Sequence, residues 1–124
     1  MENGKPKVEN VCCAVDCGIL INPDAAANLA EGAIVDGIGN AMFGSMTITN
    51  GVPDKNNFDT YRLIRNSESP KSIEVHFVKN DIDPTGMGEP PFPPVFGALA
   101  NALYKATGKR YYQQPFFGDK AGVV

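Results

Sequence analysis

Asn22-Pro23-Asp24, followed by an apolar stripe that runs from Ala26 to Met42, constrains what this chain can fold into more than any other feature. An asparagine amide oxygen accepts an orphan backbone N–H, proline at the first helical position has no N–H to satisfy, and aspartate suits the positive end of the helix dipole. Ala26, Leu29, Ala30, Ala33, Ile34, Ile38, Ala41 and Met42 then recur at intervals of three and four, which predicts a long helix with one buried face. Gly37 and Gly39 weaken its second half, and Gly44 is a natural stop. Before this helix, Val11 to Cys17 are apolar or small and bounded by Gly18, the pattern of a buried strand. A second helix starts at Pro94, carries Phe96, Leu99, Ala100, Leu103 and Ala106 on one face, and ends at Gly108, with Lys109 and Arg110 near the negative end of its dipole.

Between and after the helices the pattern is shorter in range. Ser45 to Thr49 alternate weakly and reach the turn dipeptide Asn50-Gly51, while Pro53 argues against an immediate long partner, so a strand opening into a loop is expected. Asn56 to Ser72 read as a long polar excursion pinned to the body by Phe58 and Tyr61. Ile73, Val75 and Phe77 alternate with Glu74 and His76 as a half-buried strand does, and Tyr111 to Gln114 can form a last one. The order strand, helix, strand, strand, helix, strand predicts an α+β two-layer sandwich of ferredoxin-like βαββαβ plan, with two helices on one face of an antiparallel sheet. The expected organisation is a flexible N-terminus over 1–10, one domain over 11–115 and a loose tail over 116–124. The uncovered sheet face then needs a partner or favours self-association.

Charge and cysteine content narrow the function classes. Eleven basic against fourteen acidic side chains give a mildly acidic chain, which argues against a sequence-independent grip on nucleic acid. No apolar run approaches the ~20 residues of a membrane span, and the polar start lacks the apolar core of a secretory signal. Cys12, Cys13 and Cys17 are odd in number and crowded into one stretch, poorly placed for a disulfide framework. Buried thiols in a strand, in a reduced and cytoplasmic setting, are the favoured reading. The single histidine, His76, lies far along the chain without a second pair of ligands near it, so no metal site is expected.

The most pointed chemical feature is Gly86-Met87-Gly88-Glu89-Pro90-Pro91. Glycines let backbone approach a ligand and prolines hold the surroundings of a carboxylate still, which are the needs of a positioned general base. A solvated loop glutamate just before a helix is the competing reading, and on this motif alone it stands ahead. The glycines within Glu31 to Gly39 suggest a phosphate loop, but they fall inside a helical period and suit close packing better, against another backbone or a bulky cofactor. His76 alternates with core positions and has no triad spacing around it; it is expected to face solvent or to cap an edge.

Several blocks share an order and spacing: Val15-Asp16-Cys17-Gly18 with Asn22-Pro23-Asp24, Glu31-Gly32, Asn57-Phe58 with Tyr61 and Arg65, and Ile73-Glu74-Val75-His76. After these come Gly86-Met87-Gly88-Glu89-Pro90, Asn101-Ala102 and Ala106-Thr107-Gly108-Lys109-Arg110. From Val11 to Pro115 the combination resembles the last part of the large subunit in the xanthine dehydrogenase and aldehyde oxidase superfamily, isoquinoline 1-oxidoreductase type. The resemblance implies a fragment of a molybdenum hydroxylase, an oxidoreductase that hydroxylates an aldehyde or N-heterocycle with water-derived oxygen. Glu89 would be its general base, and Gly86, Gly88 and Gly32 would lie against a molybdopterin-type molybdenum cofactor. Leu29 stands where the family carries a glutamine that contacts the pterin. The implied partners are the remainder of the large subunit and an iron–sulfur subunit. Two expectations follow: a split piece whose Glu89 loop completes a molybdenum site, or a stand-alone non-catalytic remnant or interaction module. By itself the chain is expected to bind no cofactor.

Overall fold

The computed structural model of the chain describes residues 6–117. Its elements are β1 (Asn10–Val15), α1 (Pro23–Phe43), β2 (Ile48–Thr49), β3 (Val52–Pro53), a 3-10 turn (Asn66–Glu68), β4 (Ser72–Phe77) and α2 (Pro93–Thr107). The α+β class is as expected, but among the described residues the antiparallel ferredoxin-like sheet is not formed. β1 pairs with β4 in parallel, from Asn10 opposite Ser72 to Val15 opposite Phe77, and β2 pairs only with β3. The reason lies in the middle segment. Ile48 and Val52 are largely exposed, and the turn at Asn50 and Gly51, both at positive φ, folds a two-residue ribbon back on itself. With β2 and β3 outside the main sheet, the connection from β1 to β4 runs through α1, about 32 Å long at 1.5 Å per residue, and the segment that follows it. β4 then starts at the same end as β1, the parallel geometry that a helical crossover permits.

α1 begins as its sequence directs: the Asn22 side chain accepts the Ala25 N–H at 3.1 Å, and Pro23 and Asp24 occupy the first turn. Ala26, Ala30, Ile34, Ile38, Ala41 and Met42 are buried, whereas Leu29 is half exposed. Ile34, Ile38, Ala41, Met42 and Phe43 meet Leu99 and Leu103 of α2, with Val11, Cys13 and Ile73 packed against them from the sheet. Gly37 and Gly39 serve this packing. A Cβ on Gly37 would lie 2.9 Å from the Val95 Cβ and 3.2 Å from the Phe92 carbonyl, and one on Gly39 would lie 2.9 Å from Ile64. The approaching backbone is therefore the chain's own. α2 ends at Gly108, whose φ of 73° is the left-handed cap glycine favours.

Two expectations about the connections change. Tyr111 to Gln114 form no strand; Tyr111 packs edge-on against Phe116, and the Phe116 and Phe117 N–H groups donate to the Ala41 and Met42 carbonyls at 2.8 and 3.1 Å. Those carbonyls are orphans at the end of α1, so satisfying them there replaces a fourth strand. Phe116 and Phe117 are thus bonded to the end of α1, and residues 118–124 lie outside the described residues. At the other end, residues 1–5 also lie outside them, while Val8 packs on the core and the Glu9 carbonyl accepts from Lys71 and Ser72. Phe58, 83% exposed at the tip of the Asn57–Thr60 turn, pins nothing. The excursion is held by Ile64, by the Lys55 ammonium donating to the Ser45 carbonyl, and by Arg62, whose guanidinium lies 4.2 Å from the Phe43 ring centroid. Burial works against the Glu68 carboxylate, but the Arg62 guanidinium and the Arg65 N–H outweigh it and hold its pKa below the ordinary value.

Beyond the ladder, a clasp joins the end of β1 to the segment after β4. The Val78 N–H donates to the Val15 carbonyl at 2.9 Å, and the Asn80 amide donates to the Asp16 carboxylate at 2.7 Å. Ile19 donates to the Ile82 carbonyl and Thr85 to the Cys17 carbonyl, each at 2.9 Å. Gly18 sits at the crossing with a φ of 72°, and a Cβ there would lie 2.5 Å from the Asp83 carbonyl oxygen and 2.6 Å from that of Ile82. Only glycine fits such a position.

Matched substitutions test both close contacts. Gly37→Ala should lower unfolding free energy by about 1–3 kcal/mol through overpacking, whereas Gly32→Ala, with open space around it, should raise it by about 0.5–1 kcal/mol. Equal effects in thermal and urea denaturation would contradict the packing assignment. Gly18→Ala combines a disfavoured φ with backbone overlap and should cost more than Gly51→Ala, which has the φ alone and about 1–2 kcal/mol at stake. The same denaturation midpoints read the difference.

Candidate functional site

The loop that carries Glu89 leaves the clasp at Thr85 and enters α2 at Pro93. Its far end is as firmly held as its near end. The Glu89 carbonyl accepts the Phe92 N–H at 2.9 Å, Pro91 is buried, and the Phe92 ring packs edge-on against Phe96 with centroids 5.1 Å apart. Between these anchors Gly86, Gly88 and Glu89 are exposed, and a Cβ on either glycine would meet nothing within 4 Å. The arrangement is a carboxylate and bare glycine backbone held out from the body by two rigid attachments. Chemically, such a carboxylate can accept a proton from a group brought against the loop, and the glycine backbone leaves room for a bulky ligand.

Gly32 lies elsewhere. It is exposed on α1, two residues and therefore about 200° around the helix from buried Ile34, and it shares that outer face with Leu29 and Asp36. Its surroundings are also open, with nothing within 4 Å of a Cβ. The described residues thus supply two separate open surfaces, the Gly86–Glu89 loop and the Leu29–Gly32 face.

A third surface was not anticipated. An open groove of about 810 Å³ runs between β1 and α2, floored by Ile34 and Ile38 and walled by Val11, Cys13, Ala98 and Ala102. Pro90 and Pro91, next to Glu89, also line it. The groove is mostly apolar, and among the described residues no buried side-chain polar atom lacks a partner. This lining suits a packed apolar segment and does not suit a polar, anionic pterin. The open backbone at Gly86 and Gly88 leaves space for a group of that size on one side of the loop, and the described residues do not surround it.

The cysteines are more divided than expected. Cys17 is buried, Cys13 is half-buried with burial pushing its thiol pKa up, and Cys12 is exposed on the outer face of the sheet. The parallel register sets Cys12 opposite Glu74, with His76 two residues further along the same strand, so the three share that face. Sequence reasoning missed this grouping because it depends on which strands pair and in which direction. His76 itself faces solvent, as its alternation implied. Among the described residues no helix is long and apolar enough to cross a membrane.

Comparison with known proteins agrees with these features. The family description "Molybdopterin cofactor-binding domain" matches residues 1–70, more than half of the chain. The membrane-bound aldehyde dehydrogenase [pyrroloquinoline-quinone] of Gluconacetobacter polyoxogenes is 34% identical over 101 residues, 82% of this chain and 13% of that protein. The isoquinoline 1-oxidoreductase subunit beta of Brevundimonas diminuta is 32% identical over 108 residues, 87% of this chain and 14% of that one. Among solved structures, quinoline 2-oxidoreductase from Pseudomonas putida 86 superposes with a TM-score of 0.72 at 18% identity, covering 84% of this chain and 14% of that chain. The fold is therefore shared with a domain of that enzyme, and the chain spans about one seventh of the length of these relatives. With the matching family description, the related sequences and the shared fold in agreement, this chain belongs to the molybdopterin cofactor-binding domain family, within the xanthine dehydrogenase and aldehyde oxidase group of molybdenum enzymes.

Proposed function

We propose that this chain supplies the glutamate loop of a molybdenum hydroxylase and completes a cofactor site when the remainder of the large subunit packs against it. The observation that carries this reading is the exposed Glu89 carboxylate on a doubly anchored loop, in a chain of the cofactor-binding family. Gly86 and Gly88 would offer their open backbone to the cofactor, and Gly32 a second open surface on α1. When bound, the molybdenum cofactor supplies the oxidising centre for hydroxylation. A Glu89 carboxylate oxygen would take a proton from the water whose oxygen enters the product, and the prolines on its C-terminal side would keep it in place through the transfer.

The remainder of the large subunit would bury the apolar groove and cover Ile19, Ile21 and Ile82, large side chains that are substantially exposed beside the clasp. A separate iron–sulfur subunit would remove the electrons, since three cysteines on and beside one strand, one of them buried, cannot hold a cluster. An aldehyde or N-heterocycle is the substrate class, in keeping with the names of the two sequence relatives. An exposed thiol at Cys12 fits a reducing, cytoplasmic setting. Alone, the chain would bind no molybdenum cofactor.

One observation favours a second reading, a non-catalytic remnant or interaction module of the same fold. Leu29 is 50% exposed and therefore not needed by the core, yet it stands at the position where the resemblance implies a pterin-contacting glutamine. Co-expression with the remaining large-subunit domains and an iron–sulfur subunit separates the two. The first reading predicts a complex with near-stoichiometric molybdenum, in which Glu89→Gln keeps the metal and loses turnover by about 10²–10⁴-fold. Full turnover by that variant would refute the role of Glu89. A metal-free complex, or one holding pyrroloquinoline quinone, would refute the molybdenum site.

A further inference from the structure

We propose that Cys12, Glu74 and His76 form a surface site for a borderline divalent cation, with Zn²⁺ as the best chemical match. The site stands apart from the Glu89 loop and does not depend on the function proposed above. The parallel register of β1 and β4 sets Cys12 directly across from Glu74, and His76 follows Glu74 by two residues, so all three side chains leave the sheet on one face. Their ligand atoms already lie within 4.8 Å of one another. Within the group, His76 Nε2 lies 3.7 Å from Glu74 Oε2.

Coordination geometry makes this spacing informative. Tetrahedral zinc with metal–ligand bonds of about 2.0–2.3 Å holds its ligand atoms roughly 3.3–3.8 Å apart. Contraction from the observed spacing needs about 1 Å of rotamer adjustment, and exposed side chains make such adjustments easily: His76 is 65% and Glu74 69% exposed. Ala14 stands opposite His76 in the register, and its small side chain leaves space beside the imidazole. The two backbones are held by the full ladder of six residue pairs, so the frame that carries the ligands is the most regular part of the sheet.

The donor set selects the metal. One thiolate, one imidazole and one carboxylate suit zinc and its spectroscopic substitute cobalt, and they disfavour magnesium and calcium, which take all-oxygen shells. Three protein ligands leave a fourth position for water.

Titration of the 124-residue chain with Co²⁺, followed by the thiolate-to-cobalt charge-transfer absorption in the near ultraviolet, tests the site. The expected result is saturation at one equivalent and displacement of cobalt by Zn²⁺. Cys12→Ser should abolish the band, and His76→Ala and Glu74→Ala should each weaken binding by about 10-fold or more. Cys13→Ala should leave the band in place, because that thiol belongs to the opposite face, against the core. Circular dichroism checks that each variant keeps its fold, and the exposed positions of His76 and Glu74 make them suitable should Cys12→Ser fail that check. Absence of saturable binding, or a band that survives Cys12→Ser, would overturn the assignment.

Discussion

The parallel pairing of β1 with β4 is the constraint on which the rest of this structure depends. It determines that α1 must return the chain along the sheet and that β4 ends beside the end of β1, where Asp16 can accept from Asn80 and Gly18 can admit the Ile82 and Asp83 carbonyls. Backbone hydrogen bonds in such a ladder contribute only about 1 kcal/mol each, but leaving their groups buried and unpaired would cost more, so the register is held by what a slip would expose. The clasp extends this regularity past the last strand residue. A loop that leaves a fixed point at Thr85 and reaches another at Phe92 has little freedom to misplace the glutamate between them.

The second organising feature is close contact between helices. α1 reaches α2 and the Ile64 segment through Gly37 and Gly39, where any side chain would overlap a neighbour. That contact brings Leu99 and Leu103 onto Ile34 and Ile38, and an open groove lies between α2 and β1. Its apolar lining, together with exposed Ile19, Ile21 and Ile82, gives the chain an amount of uncovered hydrocarbon that a larger assembly would bury.

What could be read from the sequence was local. Asn22 and Gly108 announced the ends of their helices because capping is decided within a few residues, and the alternation of Ile73, Val75 and Phe77 announced a strand for the same reason. The position of Glu89 in a loop before a helix was equally plain, and the role proposed for it rests on the family blocks. Strand direction was not readable, because it depends on a pairing partner far along the chain. Tyr111 to Gln114 carry a strand-like pattern, yet the orphan carbonyls of Ala41 and Met42 hold the following residues and no fourth strand forms. The close backbone approach at Gly18 and the Cys12–Glu74–His76 group were not readable for the same reason: their partners are distant in sequence and adjacent only after β1 and β4 pair.

The central claim is that the clasp is a rigid extension of the sheet and holds the glutamate loop in position. Amide hydrogen exchange of the purified chain tests it directly, residue by residue. The Ile19 and Thr85 amides, which donate to Ile82 and Cys17, should exchange as slowly as the Val78 amide and those of the β1–β4 ladder, while Gly86 and Gly88 exchange quickly. Rapid exchange at Ile19 and Thr85 alongside slow exchange in the ladder would show that the clasp opens independently, and would contradict the account.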